Sequence, residues 1–195
     1  MSAAMPLQPA RWSLAGIVMS GYVQTLRSRG LLAALRSRVS PATRKLLDHP
    51  PLAICCFDGT ALDELLVALQ DTAGDEVVRA VAAETCRNCL GPVLRPLLHG
   101  TLSLFGKTPR TLFANLHSIT SPIIRRLRFD YDALEETFGL LSIVFPTETP
   151  AATFVAWEGI ARFAIEFADS VPDVRGHEAA FGNRQVFIPV RWSTR

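Results

Sequence analysis

Apolar positions recur every three or four residues through the first two thirds of the chain, then every second residue towards its end. Leu14, Ile17, Val18, Gly21, Tyr22, Thr25 and Leu26 share one helical face, with Ser13 placed to cap that helix and Gly30 to end it. A short helix follows over about Leu31 to Ser37. Ser40-Pro41 reads as a cap followed by proline at the first helical position, opening a helix to Leu47 before Asp48-His-Pro-Pro51 breaks the chain. Leu52 to Phe57 is a brief extended run. Leu62, Leu65, Leu66 and Leu69 then define a helix that stops at Gly74, and Val78, Val81, Ala82 and Cys89 point inward from the next one, which starts at Asp75. After the interruption at Gly91-Pro92, Leu94, Leu97, Leu98, Thr101, Leu102 and Phe105 continue at helical spacing to Gly106. Thr108-Pro109 starts a further helix carrying Leu112, Phe113, Leu116 and Ile119.

Beyond Ser121-Pro122 the period changes. Leu127, Phe129 and Tyr131 alternate with Arg128, Asp130 and Asp132, the pattern of a half-buried strand. Phe138 to Phe145 is almost wholly apolar and reads as a central strand, separated from the first by an acidic turn over 134–137. Phe154, Trp157, Ala161, Ala164, Ile165 and Ala168 form a long last helix; Phe163 and Phe167 lie on its other side, which predicts burial on two faces. Residues 169–184 read as a polar loop. Val186, Ile188, Val190 and Trp192 alternate in a final strand that Pro189 would confine to a sheet edge. The predicted fold class is α+β: an N-terminal multi-helix layer packed on a small C-terminal antiparallel sheet, with one long helix between strands. Residues 1–12, with Pro6 and Pro9 and no period, predict a flexible tail, and residues 13–195 a single domain.

The length of 195 residues suits one core, and the 49 % apolar content leaves a surplus for a deep core, a partner surface or an apolar pocket. No run reaches the ~18–20 apolar residues that span a bilayer. The segment Leu14–Val23 after Arg11 superficially resembles a secretory core, but no small-x-small cleavage site follows and its period is helical. Four cysteines are too few for a secreted disulfide scaffold, so a cytoplasmic location is expected. Residues 1–50 carry seven Lys or Arg against the single acid Asp48, leaving thirteen bases and seventeen acids in the remainder. Such an end could meet an acidic partner, phospholipid head groups or nucleic acid; the arginines are not interleaved with aromatics, which argues against nucleic acid and for a solvated helix face.

Candidate chemistry is sparse. Cys86-Arg-Asn-Cys89 has the spacing of redox and zinc sites, and Cys55-Cys56 could complete a four-thiolate set. Adjacent strand residues point to opposite faces, however, which leaves a thiol lining a pocket as the better reading. His49, His99, His117 and His177 lack a His or Cys partner at helical metal-site spacing. No GxSxG, HExxH, Walker loop or GxGxxG occurs, so no metal and no enzymatic activity is expected. Glu158 stands out inside an apolar helix, next to Gly159, which admits close approach of another backbone.

Five segments carry a resemblance: Gly21–Leu26 (Gly-Tyr-Val-Gln-Thr-Leu), Leu90–Leu98 (Leu-Gly-Pro-Val-Leu-Arg-Pro-Leu-Leu), Leu104–Gly106, Thr111–Phe113 and Ala156–Gly159. Together they resemble an uncharacterised bacterial paralogous family of the myxobacterial type. More remotely, the chain is similar to the superfamily uniting haem nitric-oxide/oxygen-binding, vinyl-reductase-like and Golgi-transport domains. That resemblance implies a helical layer on an antiparallel sheet enclosing an apolar ligand. It also locates departures: Thr120 falls where haem-binding members place their iron-ligating histidine, His117 lies nearly one turn earlier, and Gly139–Val144 occupies the strand of their Tyr-x-Ser-x-Arg propionate clamp without its residues. The expectation is a non-enzymatic cytoplasmic sensor or adaptor without cofactor. It would bind a small apolar molecule between helices and sheet through Phe105, Phe113, Leu116, His117, Phe145, Trp157 and Glu158. The alternatives are a homodimerising or signalling-partner interaction module without ligand and a haem-based gas sensor.

Overall fold

The computed structural model describes residues 11–90, 96, 100 and 106–194, with the side chains of Cys89 and Leu90 also left aside. The expected helix around Leu94–Leu102, together with His99 and Phe105, lies outside the described residues. Within them the chain forms eight α-helices and eight strands. It opens with β1 (Ser13–Ala15), α1 (Gly16–Ser28), α2 (Leu32–Arg36), α3 (Pro41–Asp48), β2 (Cys56–Asp58), α4 (Thr60–Ala73) and α5 (Asp75–Thr85). α5 runs into a single π-helical turn, Cys86–Leu90. After it come α6 (Pro109–Ala114), α7 (Leu116–Thr120), β3 (Ile124–Arg125), β4 (Arg128–Glu135), β5 (Phe138–Val144) and α8 (Ala151–Phe167). The chain closes with β6 (Ser170–Asp173), β7 (Glu178–Ala180) and β8 (Gln185–Thr194). The α+β class, with helices mostly N-terminal and a C-terminal antiparallel sheet, is as the pattern predicts.

Local chemistry explains most boundaries. Ser40 accepts a hydrogen bond from the Thr43 amide and Pro41 occupies the first turn of α3; Thr108 and Pro109 repeat the device at α6. Gly74, at φ +80°, separates α4 from α5. The helix expected from Pro109 to Ile119 breaks at Asn115, whose φ of −108° and ψ of 10° are not helical, so α6 and α7 are distinct.

The main sheet runs β4-β5-β8-β6, all antiparallel, with β7 pairing β8 on the same flank as β6. Pro189 therefore sits in a central strand, contrary to the expected sheet edge. β6 covers Arg191–Thr194 and β7 covers Gln185–Phe187, so Pro189 falls in the gap between them, where that flank of β8 has no partner among the described residues. The loop expected over 169–184 contains both of these short strands.

A second sheet, β2-β1-β3, was not expected. Its strands are two or three residues long, too short to display alternation, and Ser13 belongs to one of them rather than capping α1. It also fixes Trp12, which is 2 % exposed and so does not belong to a flexible tail.

α8 joins the two halves. Its long apolar stretch is buried on two sides, against the main sheet through Phe129 and Trp157 and against α5 over Gly159. A Cβ on Gly159 would lie 2.2 Å from the Arg79 carbonyl oxygen, so only glycine lets the two backbones come this close.

Candidate functional site

Two adjoining apolar cavities lie on the helical side of α8. One, about 40 Å³, is bounded among the described residues by Trp12 and Leu14, Val18 and Tyr22 of α1, Leu62 and Leu66 of α4, and Thr153 and Ala156 of α8. The other, about 60 Å³, is bounded by Leu112 of α6, Leu116, Ile119 and Thr120 of α7, and Phe163, Ala164 and Phe167 of α8. Cys86, Ile123, Ile124, Trp157 and Ile160 form the partition and belong to both walls. Cys86, still in right-handed helical geometry at the end of α5, brings its thiol to this partition. Burial and the neighbouring thiol push the Tyr22 phenol well above the ordinary tyrosine range.

Two buried carboxylates flank α8. Asp63, on α4, accepts hydrogen bonds from Thr153 Oγ1 at 2.6 Å and Trp12 Nε1 at 3.3 Å, and both donors stand in the wall of the first cavity. Burial drives its pKa up from 3.8 to about 6; the two hydrogen bonds oppose this and nearby Asp58 adds to it. Glu158 is fully buried between Arg79, whose Nε lies 2.5 Å from Oε2, and His177, whose Nδ1 lies 2.6 Å from Oε1. Burial raises its pKa, but hydrogen bonds and charge from His177 and Arg79 outweigh this and hold it below the ordinary range.

The residues expected to bind ligand separate into different settings. Leu116 and Trp157 line the cavities. Phe113 instead stacks on Tyr131 at 5.5 Å between α6 and the main sheet. Phe145 packs in the core against Trp12 and Phe154 at 5.9 and 5.6 Å. Glu158 is engaged with Arg79 and His177. His117 is exposed, its ring 6.4 Å from that of Phe129, and stands in neither cavity wall. The space between helices and main sheet is filled by aromatic rings, so the cavities lie among helices and the small sheet instead. Trp12, Tyr22, Thr153 and Ile160 had no distinguishing signal in the sequence. Cys86 did, as a possible pocket thiol. Cys55 and Cys56 are exposed while Cys86 is buried, and among the described residues no cluster of His, Cys, Asp and Glu could hold a metal ion.

No family model and no curated protein matches the chain. Solved structures do. An Fe(II) unliganded H-NOX protein from K. algicida aligns with 93 % of this chain and 98 % of its own at 11 % identity, with a TM-score of 0.68. A Cs H-NOX mutant aligns with 93 % of this chain and 97 % of its own, again at 11 % identity, with a TM-score of 0.65. For an oxygen-binding H-NOX domain related to soluble guanylate cyclases, the coverages are 93 % and 96 %, the identity 11 % and the TM-score 0.61. The fold is that of H-NOX domains. The likeness is one of architecture over nearly the whole length, as the remote resemblance implied.

The H-NOX likeness raises haem, and the described residues do not fit it. Among the described residues neither cavity wall contains a histidine or an arginine. Thr120, which the sequence resemblance sets where haem-binding members carry their iron ligand, donates its hydroxyl to the Leu116 carbonyl at 2.8 Å. On Phe138–Val144, the strand that the sequence resemblance matches to the propionate clamp, Ser142 accepts from Gln185 Nε2 at 2.8 Å and there is no Lys, Arg or His. The volumes also fall far below the ~300–1,000 Å³ of pockets that hold drug-sized ligands.

Proposed function

We propose that this chain is a non-catalytic sensor or adaptor domain that admits a compact apolar molecule to the paired cavities behind α8. The carrying observation is the shared wall of Cys86, Ile123, Ile124, Trp157 and Ile160, which sets two apolar spaces side by side across common side chains. Apolar cavities of this kind stay dry and accept xenon- or benzene-like guests. Taken separately, the spaces admit a guest of a few heavy atoms; joined, they admit a slim hydrocarbon chain. Burying ~150 Å² of guest surface at ~25 cal/mol/Å² gives roughly 4 kcal/mol before association costs, so a small guest binds weakly unless its chain spans both spaces.

The domain operates in this reading as a cytoplasmic module whose occupancy is passed to a second copy or a signalling partner, and it works without haem. Xenon titration followed by methyl NMR tests it: shifts confined to methyls of the two cavity walls, among them Leu14, Ile123 and Ile160, support binding, and Ile160→Trp, which fills the partition, should abolish them. Undisturbed methyl signals at several bar of xenon, together with solvent extracts that contain no stoichiometric compound by mass spectrometry, would refute it. Mixing with hemin should give no Soret band of a ligated haem; an intense one would restore the gas-sensor alternative.

A further inference from the structure

We infer that the turn between α3 and β2 docks the domain on an anionic phospholipid surface. Leu52 and Ile54 are 74 % and 88 % exposed, although each is large and apolar, and they stand two residues apart on one turn. The turn is built rather than slack. Cys55 N donates to the Leu52 carbonyl at 2.9 Å, and the carbonyls of Cys55 and Ala53 accept from the Gly16 and Ile17 amides at 2.7 and 3.3 Å, capping the start of α1. A Cβ on Gly16 would lie 2.2 Å from the Leu52 carbonyl oxygen, so the turn is pressed against the helix end at a position only glycine allows.

The small sheet supplies the charge. Leu14 and Phe57 are buried and Ile124 is half-buried, so the alternate residues Cys56, Asp58 and Arg125 share the outward face. Arg125 stands opposite Ser13, and Cys56 opposite Ala15, two residues along β1 towards the turn. Asp58 is countered by Arg11 at 3.7 Å. Among the described residues neither Arg125 nor Arg126 has an acidic partner, and both are exposed. Lys45, exposed on α3, adds a cation ahead of the turn.

Two protruding apolar side chains on the same side as cations without an acidic partner among the described residues fit the lipid interface, where apolar insertion and attraction to anionic head groups add. They do not fit a stable protein interface, which needs roughly 800 Å² of complementary surface per partner. The inference stands whether or not the cavities bind a guest.

Flotation of the full chain with vesicles tests it. Vesicles of phosphatidylcholine with ~30 % phosphatidylglycerol should carry the protein, pure phosphatidylcholine should not, and 0.5 M salt should weaken binding about tenfold by screening. Ile54→Asp should lower the partition coefficient at least tenfold, and the pair Arg125→Glu and Arg126→Glu by a similar factor. Leu134→Asp, at another exposed apolar residue (57 %), should leave binding unchanged. Unaltered thermal melts establish that the variants fold, as expected for side chains in solvent. Equal binding to neutral vesicles, no binding to either, or indifference to Ile54→Asp would overturn the inference. So would a dimer, seen by light scattering, that Ile54→Asp dissolves while no vesicle is bound.

Discussion

Asp63 and Glu158 are both carboxylates taken out of water against the same helix, yet their environments oppose each other. Glu158 faces a guanidinium and an imidazole; Asp63 faces a hydroxyl and an indole N–H, neither of which carries charge. Hydrogen bonds to neutral donors offset part of the desolvation of Asp63 and leave its pKa near 6, whereas the hydrogen bonds from His177 and the Arg79 guanidinium, with its charge, more than offset that of Glu158. The contrast separates a fastening from a carboxylate free to change its charge near pH 6. Glu158 ties α5 and the segment before β7 to α8, while Asp63 couples its protonation to two residues of a cavity wall.

Breaking the fastening should have the largest effect. Glu158→Ala strands Arg79 and His177 beside a new void and should cost about 3–5 kcal/mol, read as a drop in urea midpoint at unchanged slope. An indistinguishable midpoint would show that the cluster contributes nothing net. Asp63→Asn should act in the other direction. The amide oxygen can still accept from Trp12 and its nitrogen can donate to the Thr153 hydroxyl, so the variant sheds the ionisation penalty and should be more stable at pH 7 by roughly 2–3 kcal/mol at most.

The pH dependence follows from the same contrast. With a folded-state pKa raised from 3.8 to about 6, Asp63 contributes no penalty below pH 4; the penalty grows between pH 4 and 6 and is complete above. For Glu158 the folded value is depressed, so its contribution is whole above the ordinary value of 4.5 and is lost as pH falls below it. Stability should therefore decline from pH 4 to pH 6 through Asp63, and Asp63→Asn should remove that decline while leaving the loss below pH 4.5. A slope equal in both proteins would dismiss the assignment. The smallest effect concerns Thr108, whose side chain caps α6: Thr108→Ala should cost about 1 kcal/mol by thermal denaturation, and no change would mean that Pro109 alone sets the helix start.

Legibility followed the length over which a pattern repeats. Four leucines at helical spacing announced α4, and the alternation through Phe129 and Tyr131 announced β4, because each pattern outlasts chance. The small sheet joins Ser13–Ala15 to partners more than forty and one hundred residues away through two or three residues each, so no local pattern could reveal it. Trp12 was obscured for the same reason. Glu158 was conspicuous as a charge in an apolar helix, but its partners Arg79 and His177 come from a helix and a loop that only the tertiary fold brings together. The cavity wall was partly visible in Trp157 and Leu116; Cys86 continues the buried face of Val78 and Ala82, but nothing local tells that this face meets a cavity.

The gap opposite Pro189 has a consequence for how these molecules coexist at high concentration. It divides the outer flank of β8 between two strands of four and three residues, so no long uninterrupted row of backbone donors and acceptors faces outward there. The opposite margin, β4, carries Arg128, Asp130, Asp132 and Glu135 towards solvent. A foreign strand finds neither rim welcoming, and the sheet is thereby protected from polymerising with its own kind.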